Sequence, residues 1–364
     1  MMKRIFLLTA LCLSLTCAKS TSLEEMIAQM IVIGFDGTKE SDKWVEQVAK
    51  DIKREKIGGI FLTEKNIQNV AQLKKLTDYL KAQAPVDAAL IVAVEHDGSD
   101  ANLFSLKKGF APAYGANEIA TSKDVNETAS IYDAMCSSMA KGGVNVNLAP
   151  VLDLQRKIAG NAKESERAYA SYEEIVTTYA LLFIDAMYRN GITPVVKYFP
   201  YAGANLWDDF SSRADASASW RFEQLKPYYD LIAYDKIDAV LMSHAKINDL
   251  DPKEPSLFSK TIVQNLLRDK MHFKGVVFVH NLRTDSLPNT LDFKQRVIRS
   301  VQAGGDILVF TNYFADNASM PFTVQKILLD AVRSGEISQA SIEQAYARIL
   351  TFKKNLSKRG SYAY

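Results

Sequence analysis

A single α/β domain built as a (β/α)8 TIM-type barrel is the fold class this sequence predicts. Three observations predict it. Eight short apolar runs recur along the chain. Segments with apolar residues at three- and four-residue steps lie between them. No Pro/Ser-rich linker divides the 364 residues, a length that suits either two ordinary domains or one large barrel.

The runs are Met30–Phe35, Ile57–Leu62, Ala89–Glu95, Val144–Leu148, Thr193–Phe199, Ala239–His244, Val276–His280 and Asp306–Thr311. Each is bounded by Gly, Asp or polar residues, as strands buried on both faces should be. The helical spacing falls at Trp44–Lys56, Val70–Lys81, Val125–Lys141, Tyr172–Arg189, Arg221–Tyr234, Thr261–Asp269, Leu291–Ala303 and Ser341–Lys354. Glycines at 58–59, 142–143, 191, 275 and 304–305 stop a helix just before the next strand. Alternation of this kind predicts one parallel barrel. A doubly wound open sheet is the competing architecture, but no Gly-rich phosphate fingerprint follows the first strand.

The chain opens MMKRIFLLTALCLSLTCAKS. Lys3 and Arg4 precede an apolar stretch, Ile5–Leu15, and Thr16 and Ala18 fit the −3 and −1 positions of a signal-peptidase site. Residues 1–18 therefore read as a signal peptide rather than a buried helix, giving a periplasmic protein; a lipid anchor at Cys17 is the less favoured variant, because Ser14-Leu15-Thr16 approaches it poorly. The barrel occupies 22–356, and 357–364 form a basic tail. Cleavage after Ala18 leaves Cys136 as the lone cysteine, expected to be a buried thiol, so neither an intramolecular disulfide nor a cysteine metal site is expected. No transmembrane segment is expected, since no other stretch reaches spanning length. With net charge +2 and no Lys/Arg-rich block, no nucleic-acid partner is expected.

A barrel carries its site at the C-terminal ends of the strands. The residues there are Glu95-His96-Asp97, Asp153, Lys197-Tyr198, Ser243-His244, His280-Asn281 and Thr311-Asn312. A lysine straight after Val195-Val196 needs a carboxylate or a ligand, because barrel interiors are apolar; Asp153 and Asp97 are the expected partners. His244 reads equally as a core or a ligand-contacting histidine, and Arg167 alone would be a surface arginine. No H-x-x-x-H pair marks a metal site, no G-x-S-x-G elbow marks a serine nucleophile, and no cofactor is expected.

The stretches NLAPVLDL (147–154), VVKYFP (195–200), SLFSKTIVQNLLRDKMHFKGVVF (256–278) and AGGDILVF (303–310) resemble the family 3 glycoside hydrolases. Within that family the likeness is to the single-domain bacterial β-N-acetylhexosaminidases that trim cell-wall muropeptides. It runs from about Ser22 to the C-terminus and implies a (β/α)8 barrel, in agreement with the strand count. It also implies retaining chemistry, with an aspartate attacking the anomeric carbon and a histidine, oriented by an aspartate on a loop after the fifth strand, donating the proton.

The sequence departs from that pattern at the reactive positions. After GVVF the family has Ser-Asp-Asp; here Val279-His280-Asn281 follow, so His280 takes the nucleophile's place. KYFPYAGANLWDDF (197–210) stands where Lys-His-Phe-Pro-Gly-His-Gly and then Asp-Ser-His are expected. Lys197 is kept, Tyr198 replaces a sugar-binding histidine, Asp208 matches the orienting aspartate, and Phe210 replaces the histidine it would orient. Glu95 replaces a sugar-binding aspartate, Asp100 an arginine, while Arg167 and His244 match family residues.

These departures imply an exported protein that has lost catalysis. Its remnant pocket (Glu95, Asp97, Arg167, Lys197, Tyr198, His244) is expected to bind an amino-sugar or peptidoglycan fragment, or its surface to dock on a cell-envelope protein partner. The aromatic insertion Tyr201…Leu206-Trp207…Phe210 is expected to plug that pocket or form a contact patch. The alternative is residual or altered hydrolysis, with Asp208, Asp209, Asp97 or Glu95 as the substituting carboxylate.

Overall fold

The computed structural model describes residues 21–85, 88–98, 103–155, 166–203, 215–284, 287–315 and 318–359. The 1–18 segment read as a signal peptide, Asp100, Asp208, Asp209 and the aromatic insertion from residue 204 onward lie outside the described residues, as does the end of the basic tail.

The barrel strands are β1 (Ile31–Gly34), β2 (Gly59–Phe61), β3 (Ile91–Val94), β4 (Val146–Asn147), β5 (Thr193–Pro194), β6 (Val196–Phe199), β7 (Ala239–Met242), β8 (Val276–Val279) and β9 (Ile307–Phe310). All pair in parallel, in the order β5-β4-β3-β2-β1-β9-β8-β7-β6. β5 and β6 are two halves of the fifth stave, separated only by Val195. The first half pairs with β4 and the second with β7. Lys197 also bridges Val151, beyond β4, through Leu152 N–H to the Lys197 carbonyl (2.7 Å) and Lys197 N–H to the Pro150 carbonyl (3.0 Å). Eight staves thus close into a barrel, the predicted class.

The repeat Val-Asn-Val-Asn at 144–147 shows how sequence sets this register. Asn145 accepts from Val92 N–H (2.7 Å) and donates to the Leu90 carbonyl (2.8 Å). Asn147, buried, repeats the clamp one pleat on, accepting from His96 N–H (2.9 Å) and donating to the His96 carbonyl (2.8 Å). Side-chain amides complete a ladder that the short β4 cannot supply alone. The second clamp also fixes the backbone on which Glu95 and Asp97 sit.

Helices cover the barrel where the spacing predicts them, with Val70–Lys81 and Val125–Lys141 reproduced residue for residue. The Thr261 segment forms a wide π-type helix, Thr261–Lys270, rather than an ordinary one. Among the described residues three α-helices were not predicted, Leu23–Gln29, Ala116–Ser122 and Met320–Arg333. Cys136 is the buried free thiol expected. Among the described residues no helix is long and apolar enough to cross a membrane. Gly34 is obligatory, since a Cβ there would lie 2.0 Å from the Thr311 carbonyl oxygen, where the first and eighth staves meet.

The opposite end of the barrel holds a buried lysine. Lys353, on the helix Gln339–Arg359, donates to Gln29 Oε1 and to the Gly58 carbonyl, both at 2.7 Å. Burial pulls its pKa down to about 7 from the ordinary 10.5. Between those values the unfolded chain holds a proton that the folded chain has released, so stability rises with pH across this window. Urea unfolding should therefore show stability gained from pH 7 to pH 9, by up to about 1.4 kcal/mol per pH unit, and Lys353→Met should remove that slope.

Candidate functional site

At the C-terminal ends of the staves lies a cleft of about 440 Å³, within the size range of small-ligand sites. Glu95 and Asp97 come from the end of β3, His280 from β8 and Thr311 from β9. Arg167 enters from the long connection after the fourth stave, and Phe61, Leu62, Thr63, Glu64 and Leu103 complete the wall.

The Lys197 side chain is fully buried and its ammonium lies 2.7 Å from Glu95 Oε1 and 3.1 Å from Asp97 Oδ2. Arg167 Nη2 meets the same two oxygens at 3.0 and 2.7 Å, and its Nε meets Asp97 Oδ2 at 2.8 Å. Tyr198 joins the ring of contacts, its hydroxyl donating to Glu95 Oε1 (3.0 Å) and accepting from Arg167 Nη2 (3.1 Å). Burial and the Glu95 charge push the Tyr198 phenol up to about 12, so it remains a donor. Two cations thus face two carboxylates. Burial alone would raise the Glu95 carboxyl, but Lys197 and Arg167 outweigh it and hold the group down to about 2.

Lys197 has the carboxylate partner that its position in a core strand demands, and Asp97 is one of the two expected. Asp153 is not the other. Its carboxylate instead accepts Ala202 N–H (2.7 Å) and Tyr198 N–H (3.3 Å), tying the fourth stave to the end of the fifth. Burial raises it to about 7. Glu95, read from the sequence as a sugar contact, is the nearer ion-pair partner. Its extra methylene relative to aspartate lets one carboxylate oxygen reach Lys197, Arg167 and Tyr198 together.

His280 and His244 sit side by side on adjacent staves. His280 Nδ1 is 3.1 Å from the Val309 carbonyl oxygen, and its ring tilts against Phe61. A carbonyl can only accept, so Nδ1 carries the hydrogen and Nε2 the lone pair. Burial lowers the His280 pKa, so the ring is neutral at pH 7. Burial and the neighbouring His280 bring His244 down to about 4. Asn281 turns away into a local turn, its Oδ1 accepting Arg283 N–H at 3.0 Å. Among the described residues no cluster of three or more His, Cys, Asp or Glu could hold a metal ion.

The site therefore gathers Glu95, Asp97, Arg167, Lys197, Tyr198, His244 and His280 at one mouth. Thr63 and Glu64 went unread in the sequence, although they directly follow the Ile57–Leu62 run at a stave's C-terminal end, where the barrel rule would have found them. Leu103 carried no such signal.

A closed (β/α)8 barrel with a charged cleft at the C-terminal ends of its staves is the class of architecture to which this site belongs. Residues 22–352 match the model of the glycosyl hydrolase family 3 N terminal domain, and the chain belongs to that family. It is 30% identical over 256 residues to a β-hexosaminidase of Xylella fastidiosa, covering 68% of this chain and 73% of that protein. It is 28% identical over 261 residues to a β-hexosaminidase of Tolumonas auensis, covering 70% and 76%. Among solved structures, a β-N-acetylhexosaminidase from Beutenbergia cavernae superposes with a TM-score of 0.78 at 24% identity, over 92% of this chain and 98% of that one.

Glu95→Gln should leave Lys197 and Arg167 short of one charge and destabilise the fold by about 3 kcal/mol at pH 7. Because the folded pKa lies near 2 and the ordinary value is 4.5, this contribution is complete above about pH 4.5 and lost as pH falls through about 2. Denaturant titrations of both proteins should converge as the acid end of that window is approached.

Proposed function

We propose that this protein recognises a terminal 2-acetamido sugar, as found in peptidoglycan fragments, in the mouth cleft, and does so without a protein nucleophile at the end of β8. The observation that carries this reading is His280, a neutral imidazole lining the cleft on the stave from which the family's attacking aspartate is expected. A neutral ring cannot stabilise positive charge at the anomeric carbon as a carboxylate does. The carboxylates that line the cleft floor, Glu95 and Asp97, are engaged by Lys197 and Arg167. Read as an exported protein, it would meet its ligand in the periplasm; docking on an envelope protein is a separate proposal, tested by crosslinking in intact cells.

A second reading is hydrolysis of the same glycosidic bond. The names of the β-hexosaminidase relatives and the matching Lys197, Arg167 and His244 support it. Both readings share the ligand and differ in turnover.

Calorimetry with N-acetylglucosamine and with muropeptides should give saturable binding, and absence of heat up to millimolar concentration would sink the recognition reading. Release of nitrophenol from an aryl β-N-acetylglucosaminide should be slower, by about 100-fold or more, than from the His280→Asp, Phe210→His double variant. Equal rates would show that the strand end has not lost its function.

A further inference from the structure

This inference rests on the reading that the cleft takes a 2-acetamido sugar. We propose that the site cleaves β-linked 2-acetamido glycosides by using the sugar's own acetamido oxygen as the nucleophile, with His280 Nε2 as the base that receives the acetamido proton.

The first support is geometric. The Val309 carbonyl fixes His280 with Nδ1 as donor, leaving the Nε2 lone pair on a ring that lines the cleft. Among the described residues Nε2 takes no hydrogen bond of its own. A lone pair in that position asks for a hydrogen-bond donor, and an amide N–H is a neutral donor of the right kind. A 2-acetamido group carries one next to the anomeric carbon.

The second support is the state of the carboxylates. Among the described residues, the hydrogen bonds that Glu95 accepts fall on Oε1, from Lys197, Arg167 and Tyr198. Asp97 Oδ2 holds both Lys197 and Arg167. Drawing either carboxylate into a covalent bond would neutralise it and strand part of the charge of a fully buried lysine. The third cleft carboxylate, Glu64, is on the exposed rim. Among the described residues the cleft floor offers recognition charge and a neutral base, with both of its carboxylates ion-paired, and the substrate itself carries an attacking group.

The step balances without any added reagent beyond water. The acetamido oxygen forms a bond to C1 on the face opposite the β-leaving group. The C1–O bond to the leaving group breaks and its electron pair departs with that oxygen. The amide proton moves to His280 Nε2, giving an oxazoline and an imidazolium beside the Glu95 carboxylate. Water then attacks C1 from the vacated face, the C1–oxazoline oxygen bond breaks, and the ring nitrogen recovers its proton from His280. The remaining water proton neutralises the departed oxyanion, and configuration at C1 is retained.

The test uses the full chain and four nitrophenyl β-glucosaminides whose acetyl group carries zero to three fluorines. Fluorine drains the carbonyl oxygen of nucleophilicity. The wild type should lose about 100-fold or more in kcat/KM from acetyl to trifluoroacetyl, and His280→Ala should lose about 100-fold on the acetyl substrate while still binding N-acetylglucosamine. His280→Asp, which restores an enzymic nucleophile, should flatten the series. A flat wild-type series, or wild-type release no faster than His280→Ala, overturns the proposal. Calorimetry with N-acetylglucosamine separates the two failures: heat with a flat series rejects this mechanism and keeps recognition, whereas no heat rejects recognition itself.

Discussion

Lys197 carries an ammonium, fully buried, at the end of a barrel stave, and the chemistry of the mouth is arranged around that charge. An unpaired ammonium in such a place would cost several kcal/mol and would more readily lose its proton than remain charged. Here Glu95 and Asp97 keep it protonated, raising its pKa against the opposing effect of burial. Because Arg167 shares both carboxylates, the mouth holds a four-charge cluster of two cations and two carboxylates. The Asn147 clamp and the Asp153 contacts fix the backbones that present it.

That arrangement shapes what chemistry is available. Carboxylates locked to cations are good at holding a polar ligand and poor at attacking it. His280 stands at the same mouth, its tautomer set by one backbone carbonyl from the neighbouring stave. Membership of the family settles the barrel and the ligand class of the relatives, while the chemistry lives in the residues at the mouth.

Much of the barrel was legible in the sequence, because buried strands and amphipathic helices leave periodic marks. The helix Met320–Arg333 was missed although Met320, Val324, Leu328 and Ala331 are spaced for one buried face. The split of the fifth stave was invisible too, since which edge of a strand pairs with which neighbour is decided by barrel closure and not by the residues themselves. Lys197 announced that it needed a partner, because a charge inside an apolar run is costly wherever the chain folds. Glu95 did not announce itself as that partner. It lies 102 residues from Lys197, and only barrel closure, which gathers the ends of the third and fifth staves at one mouth across the fourth, brings the two within 2.7 Å.

The barrel, the family and the presence of a histidine at the end of the seventh predicted strand could be read from the residues alone, since these rest on periodicity, on motif and on residue type. The tertiary structure decided which carboxylates neutralise Lys197, where Arg167 points and which nitrogen of His280 keeps its lone pair. Each of those depends on contacts between residues distant along the chain, and the energy of a buried charge or a fixed tautomer exists only once those contacts are made.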